Sequence, residues 1–260
     1  MTRLPGLVSA LAVADNREQA TLDHIARVIR EAGMIPTTKR GVGASSMTAR
    51  EAALLLIGAN ASEAPKDAAT AAEYYRLLLG RNYHRVGDLE GIYARIDEAA
   101  NFGDAIEVLI SGVPEIVASL AGYIDDAYGE SHTTEQLGEL KRLLLHGELA
   151  GVEVVFSKPF PFATIRIVCW PAGQQQVQYE WRYFVNAELL NDYPRVFNGG
   201  SDRKVSVTIG LPTLLSLYRA LNPEADEVED AMPHSEAASA ADRAYAAIQE
   251  MCGRTERGAK

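Results

Sequence analysis

The chain is 260 residues long and 47% hydrophobic, enough to enclose a full core in one large domain or two ordinary ones, which excludes disorder as its default state. Its net charge of −10 excludes a surface uniformly coated for nucleic acid, and its two cysteines, Cys169 and Cys252, are too far separated to suggest a disulfide framework or a cysteine metal site. The longest apolar runs, such as Ala52 to Ile57, fall far short of the ~20 residues that cross a bilayer, so a cytoplasmic protein with no membrane segment is expected.

Met1 to Ala14 is mildly apolar, has Arg3 as its only basic residue and is interrupted by Pro5 and Gly6, a pattern unlike a secretory signal. After Thr21, the residues Leu22, Ile25, Val28 and Ile29 recur at helical spacing, and Gly33 with Pro36 beyond it ends that helix. Pro36 to Ser46 is rich in turn formers and lacks a hydrophobic period, which predicts a loop carrying the adjacent cations Lys39 and Arg40. Thr48 stands three residues before Glu51, the capping-box spacing, and so opens a second helix through the apolar run Ala52 to Ile57, ending near Gly58 and Asn60. A third helix is expected over Lys66 to Leu79, with Ala68, Ala72, Tyr75 and Leu79 on one face and Gly80 as its stop.

Asp88 to Ala100, Asp104 to Ile110, Pro114 to Tyr128 and Thr134 to His146 continue the helical pattern, the last capped by Thr133 or Thr134 and ended by Gly147. At Val152 the hydrophobic period changes from near four to two. Val152 to Phe156, Ala163 to Trp170 and Val177 to Val185 are β-branched and aromatic and are separated by proline-containing turns, which predicts a three-stranded meander. Val205 to Ile209 is a candidate fourth strand, and Leu211 to Leu221 a helix opened by Pro212. Pro223 to Ala237 holds six acidic residues and neither Lys nor Arg, the composition of a solvated linker, ahead of a last helix over Glu236 to Met251. The expected class is α+β, with helical N-terminal and middle regions followed by a small antiparallel β-meander and C-terminal helices. Its expected regions are 1–87, helical and helix-turn-helix-like; 88–150, an acidic helical middle; 151–222, the meander plus a helix; and 223–260, an acidic linker and helix.

Charge divides the chain differently from hydrophobic period. Residues 1–87 hold 11 Lys/Arg against 8 Asp/Glu, whereas the remainder holds 14 against 27. Compact three-helix units dock DNA by laying a helix across the groove and placing loop cations and backbone amides on phosphate. Arg27 and Arg30 on the polar side of the first helix, Lys39 and Arg40 in the loop, and Arg50 in the second helix match that pattern, and Gly41 and Gly43 would let the loop backbone approach a phosphate. The competing reading of the same residues is a set of surface cations on an ordinary helical bundle.

The run from Arg27 through Pro36, the stretch Lys39-Arg-Gly-Val-Gly43, and Met47-Thr-Ala-Arg-Glu-Ala-Ala53 with its leucines resemble the N-terminal region of uncharacterised proteins in bacterial phage and prophage gene sets, over residues 20–80. The resemblance implies a mobile-element context and a DNA transaction. The overall order is also similar in outline to phage small terminase subunits, where a DNA-binding module precedes an oligomerising helical region and a β segment.

Other chemistry finds little support. His24, His84, His132, His146 and His234 show no metal-binding spacing. His84, beside Tyr83 and Arg85, suits either a phosphate contact or a helix cap. Gly41 and Gly43 form a Gly-x-Gly that follows no strand, and Gly-x-Ser-x-Gly is absent, which disfavours a dinucleotide fold and a nucleophile elbow. Asp125, Asp126 and Glu130 suit a hydrated helix terminus better than a divalent ion. Tyr179, Trp181 and Tyr183 alternate onto one strand face, where core packing is favoured over base stacking because the neighbouring cations are few.

The expectation is therefore a non-enzymatic protein without metal or cofactor that binds double-stranded DNA and forms a homo-oligomer, as a regulator or a DNA-packaging recognition subunit. A structural or adaptor protein that pairs subunits or docks a protein partner is the alternative.

Overall fold

The computed structural model describes residues 2–36, 46–170, 176–186 and 204–224. Helices α1 (Leu4–Ala14), α2 (Gln19–Glu31), α3 (Ala49–Ala61) and α4 (Ala68–Arg76) come first, followed by strand β1 (Leu79–Arg85). Helices α5 (Gly91–Asp97), α6 (Phe102–Ser111), α7 (Val113–Tyr128) and α8 (Thr134–Leu145) form the middle of the chain. Strands β2 (Ala150–Lys158), β3 (Phe162–Cys169), β4 (Gln176–Phe184) and β5 (Val205–Gly210) then lead into α9 (Leu211–Leu221). The class is α+β.

The central helix is α3. Every residue from Ala52 to Ala61 is buried, so its amphipathic stripe is replaced by apolar or small side chains all round, as expected of a helix enclosed by others. Thr48 and Glu51 cap it reciprocally, with the Thr48 N–H donating to Glu51 Oε2 at 2.8 Å. The helix ends at Ala61, next to Asn60 near which its end was expected; Asn60 is buried, and its amide donates to the Leu56 carbonyl at 2.9 Å. By contrast α2 is one-sided: Leu22, Ile25, Ala26 and Ile29 are buried, while Asp23, His24, Arg27 and Arg30 face solvent. It begins two residues before Thr21, after Glu18, and Gly33 beyond its end has φ +77°, a conformation that glycine adopts without the Cβ penalty.

Met1 to Ala14 contains a helix that its Pro5-Gly6 pair concealed. Pro5 sits in the first turn of α1, where its missing N–H costs nothing, and Leu7, Val8, Leu11 and Ala12 are buried. Helix α1 packs on α9, with Ser216 Oγ donating to the Ala10 carbonyl at 3.0 Å. Helices α7 and α8 pair with each other around Ile124, Leu140 and Leu143.

The sheet has the order β1-β4-β3-β2-β5, antiparallel throughout. The meander β2-β3-β4 was legible, but it makes only the middle of the sheet. β5 pairs with β2 on one side and β1 with β4 on the other. This corrects the expected helix over Lys66 to Leu79 and the expectation that 1–87 is helical throughout: a 3₁₀ turn at Pro65–Asp67 precedes α4, which ends at Arg76, and Leu79 opens a strand. Gly80 lies in that strand rather than after a helix, directly under the Tyr183 ring; a Cβ there would meet Tyr183 Cε1 at 2.5 Å.

One face of the sheet is covered by helices. Tyr75 of α4, Phe102 of α6, Phe156 of β2 and Tyr183 of β4 are fully enclosed between them, with Phe102 5.6 Å from Phe156 and 5.0 Å from Tyr183 between ring centroids. The Tyr75 hydroxyl donates to the Ser157 carbonyl, tying α4 to β2. Trp181 is 1% exposed and its indole N–H donates to Asp97 Oδ1 at 2.9 Å, while Tyr179 stacks on Tyr93 of α5 at 4.6 Å. The aromatic face of β4 is thus core, as its alternation and scarce cations suggested. A single apolar cluster includes Leu7, Leu55, Phe102, Ile165 and Leu217, joining residues from 1–87, 88–150 and 151–222. The expected linker from 225 onward and the helix over Glu236 to Met251 lie outside the described residues.

Candidate nucleic-acid interface

Arg27 and Arg30 fall three residues apart on the solvent face of α2. Arg27 approaches Glu31 only at 4.0 Å between exposed groups, a contact of little energetic weight, and Arg30 makes no ion pair among the described residues. Together with Asp23 and His24 they line a cleft of about 490 Å³ between α2 and the start of α1. The guanidinium groups are therefore free to meet an anion, although Asp23 and Glu31 on the same helix temper the field.

Arg50 occupies a different place. It lies in the first turn of α3 and lines a cleft of about 420 Å³ with Gly33, Met34, Glu73, Asp104 and Glu107. Burial pushes the Glu107 carboxyl above the usual carboxylate range, and Arg50 opposes that rise, so its charge is partly directed at a neighbouring acid. The clefts holding Arg27 and Arg30 on one side and Arg50 on the other share no residue. Lys39, Arg40, Gly41 and Gly43 lie outside the described residues. Both ends of their segment are anchored: Ile35 is fully buried, Met47 is 8% exposed, and the Met47 N–H donates to the Thr2 carbonyl at 2.9 Å.

A further basic cluster was not expected as such, because its residues fell between the expected helices and only His84, beside Tyr83 and Arg85, was considered as a phosphate contact or helix cap. Arg81, Tyr83, His84 and Arg85 all lie on the edge strand β1. No helix ends at His84, which removes the capping role considered for it; its Nε2 lies 3.1 Å from the Val177 carbonyl oxygen. Arg182 of β4 stacks its guanidinium 3.3 Å from the Tyr83 ring centroid and donates to Glu180 Oε1 at 2.6 Å. Glu180 is buried, and Arg166 approaches it from β3 at 3.6 Å. The sequence signal for this cluster was present only as the triplet Tyr83-His84-Arg85; that Arg182 joins it depends on strand register.

A polar cleft of about 670 Å³ contains the cations Arg17 and Lys158. Arg17 donates to the Ala59 carbonyl at 2.7 Å and to Asn60 Oδ1 at 2.6 Å, and pairs with Asp15. Lys158 donates to the Ser62 carbonyl at 2.9 Å, and burial pushes its ammonium pKa down. Both cations thus serve carbonyls at the C-terminal end of α3, which lack helical partners and attract positive charge. Residues 141 positions apart in sequence gave no hint of this shared task.

Asp125, of the acidic group beside Gly129, receives Lys141 Nζ at 2.7 Å, and among the described residues no group of three or more His, Cys, Asp or Glu is arranged to hold a metal ion. Cys169 is 1% exposed, and burial pushes its thiol up to about 12, far from a reactive thiolate. Among the described residues no single helix is long and apolar enough to cross a membrane. Comparison of the chain with family models, with curated proteins and with solved structures yields no match.

Proposed function

We propose that this chain binds double-stranded DNA without catalysing a reaction, using the solvent face of α2 and the segment between α2 and α3 to contact the phosphate backbone. The observation that carries the reading is the pair Arg27 and Arg30, exposed, with Arg27 in only a 4.0 Å contact with Glu31 and Arg30 in no ion pair among the described residues, on the helix that leads toward Lys39, Arg40, Gly41 and Gly43. Guanidinium and ammonium groups displace condensed counterions from DNA, so affinity comes chiefly from charge and falls with salt. Arg50, at the start of α3, adds a cation at the far end of that segment, weakened by Glu107. The resemblance of residues 20–80 to phage and prophage proteins agrees with a regulator or a packaging-recognition subunit, and the acidic remainder of the chain, which phosphate would repel, is assigned to self-association.

The test is fluorescence anisotropy of the full chain with a short duplex between low and moderate salt. Binding is expected, and replacing Lys39, Arg40 and Arg50 together by alanine should flatten the log–log salt slope by about 2 to 3. Absence of binding at the lowest salt, or an unchanged slope in the triple variant, overturns the reading. The full chain is required because β1, within 1–87, pairs with β4. A structural or adaptor role is the second reading, favoured by the open edge of β1; light scattering that finds a large assembly indifferent to DNA would select it.

A further inference from the structure

β1 borders the five-stranded sheet, and its seven residues are all exposed. On one side it is hydrogen-bonded to β4; no described residue pairs with the backbone on its other side. An open edge of this kind offers a ladder of unused N–H and C=O groups to an extended chain. Side chains around the edge have a consistent character. Arg81, His84 and Arg85 come from β1 itself, Arg182 stands behind them on β4, and the exposed apolar groups Tyr83 (62% exposed) and Val86 (52%) lie between and beyond.

We propose that β1 accepts an extended acidic segment of a partner protein as a sixth strand. The backbone ladder would supply affinity, and carboxylates on the added strand would meet Arg81 and Arg85, which have no ion-pair partner among the described residues. The bulge between Asn82 and His84 lets the strand present cations on both faces: Arg81 stands opposite Arg182 on the open face, whereas Arg85 stands opposite Tyr179, whose face is covered. An acidic strand therefore meets both arginines when it carries carboxylates on both of its faces.

Two other occupants fit less well. A second copy of β1, added antiparallel about a twofold axis near Tyr83, would lay one strand bearing Arg81, His84 and Arg85 and no carboxylate beside another of the same charge, which repulsion disfavours. A DNA backbone running along the edge would pass from the arginines to Asp88 and Glu90, which follow immediately in the chain. A short peptide stops before them. This inference does not rest on DNA binding by α2, because the two surfaces share no residue.

The test uses the full chain and a labelled peptide of about nine residues in which adjacent Glu pairs separated by Val and Thr put carboxylates on both faces, a length matched to an ordinary strand. Two control peptides carry Lys in place of Glu, or N-methyl groups at alternate backbone positions. The acidic peptide is expected to bind at least about tenfold more tightly than either control, and Arg81→Glu with Arg85→Glu should weaken it at least tenfold. The same variant should leave duplex binding by the α2 surface unchanged, which separates failure here from failure of the DNA reading. Should the double-Glu variant lose its native circular dichroism, Arg81→Ala with Arg85→Ala gives the same comparison without charge reversal. No measurable binding, equal binding of the N-methylated peptide, or loss of duplex binding in the variant would overturn the proposal; the last would give the edge to nucleic acid.

Discussion

β4 and β1 are neighbours in one sheet and could hardly differ more. β4 buries Trp181 and Tyr183 to 1% exposure on its covered face and turns Arg182 to the other, where Arg182 and Arg166 close over Glu180. β1 has no buried residue at all, and no alternation in burial, although it borders the same sheet. The comparison teaches that a strand can be specified in two ways. β4 is specified by which side chains it must bury, and β1 by the partner strand that offers it hydrogen bonds.

Tyr183→Ala should break this contrast most severely. Removing the ring leaves a cavity between Phe102 and Gly80 and takes away the surface that β1 packs on, a loss of about 3–5 kcal/mol by denaturant unfolding. A loss below 1 kcal/mol would mean that β1 holds the sheet edge without that support.

Alkaline pH probes the same covered face at Tyr93, which stacks on Tyr179. Burial pushes its phenol up to about 12 from an ordinary value of 10.0, while the hydrogen bond to Ser119 Oγ acts in the opposite sense. Because the folded value is the higher one, the contribution to stability is complete below pH 10 and is lost as pH rises through 12. Tyr93→Phe should remove part of that alkaline loss, measured as unfolding midpoints from pH 8 upward. Identical pH profiles for the two proteins would show that Tyr93 is not enclosed.

Arg85→Ala sits at the small end. Its side chain is exposed and has no ion-pair partner among the described residues, so stability should change by no more than about 0.5 kcal/mol. A larger effect would make β1 an energetic part of the sheet border instead of a surface available to a partner.

Much of the fold was legible because it is encoded by local rules. The Thr48–Glu51 capping box, a threonine cap at Thr133 or Thr134, the helical spacing of Leu22, Ile25 and Ile29, and the change to period two at Val152 each depend on residues a few positions apart. The alternation of Tyr179, Trp181 and Tyr183 likewise identified a buried face before any partner was known. Two local signals misled. Pro5-Gly6 suggested an interruption, yet proline is well placed in a first helical turn, and Gly80 suggested a helix stop, yet it is the small residue that admits the Tyr183 ring.

The candidate site was less legible than the fold. Sequence placed Arg27 and Arg30 on one helix face, since a spacing of three is settled by helical geometry. It could not tell that Arg50 lines a separate cleft beside Glu107, nor that Arg182 lies over Tyr83, nor that Arg17 and Lys158 both serve the end of α3. Each of those facts joins residues that only packing brings together.

By itself, then, the sequence determined the class, most helices and the meander, because capping, periodicity and β-branched runs act over one or two turns of chain. Tertiary structure alone decided that Leu79 to Arg85 is a strand and that β5 pairs with β2. A polar edge strand has no hydrophobic period to announce it; its conformation follows from hydrogen bonds to a neighbour about a hundred residues away.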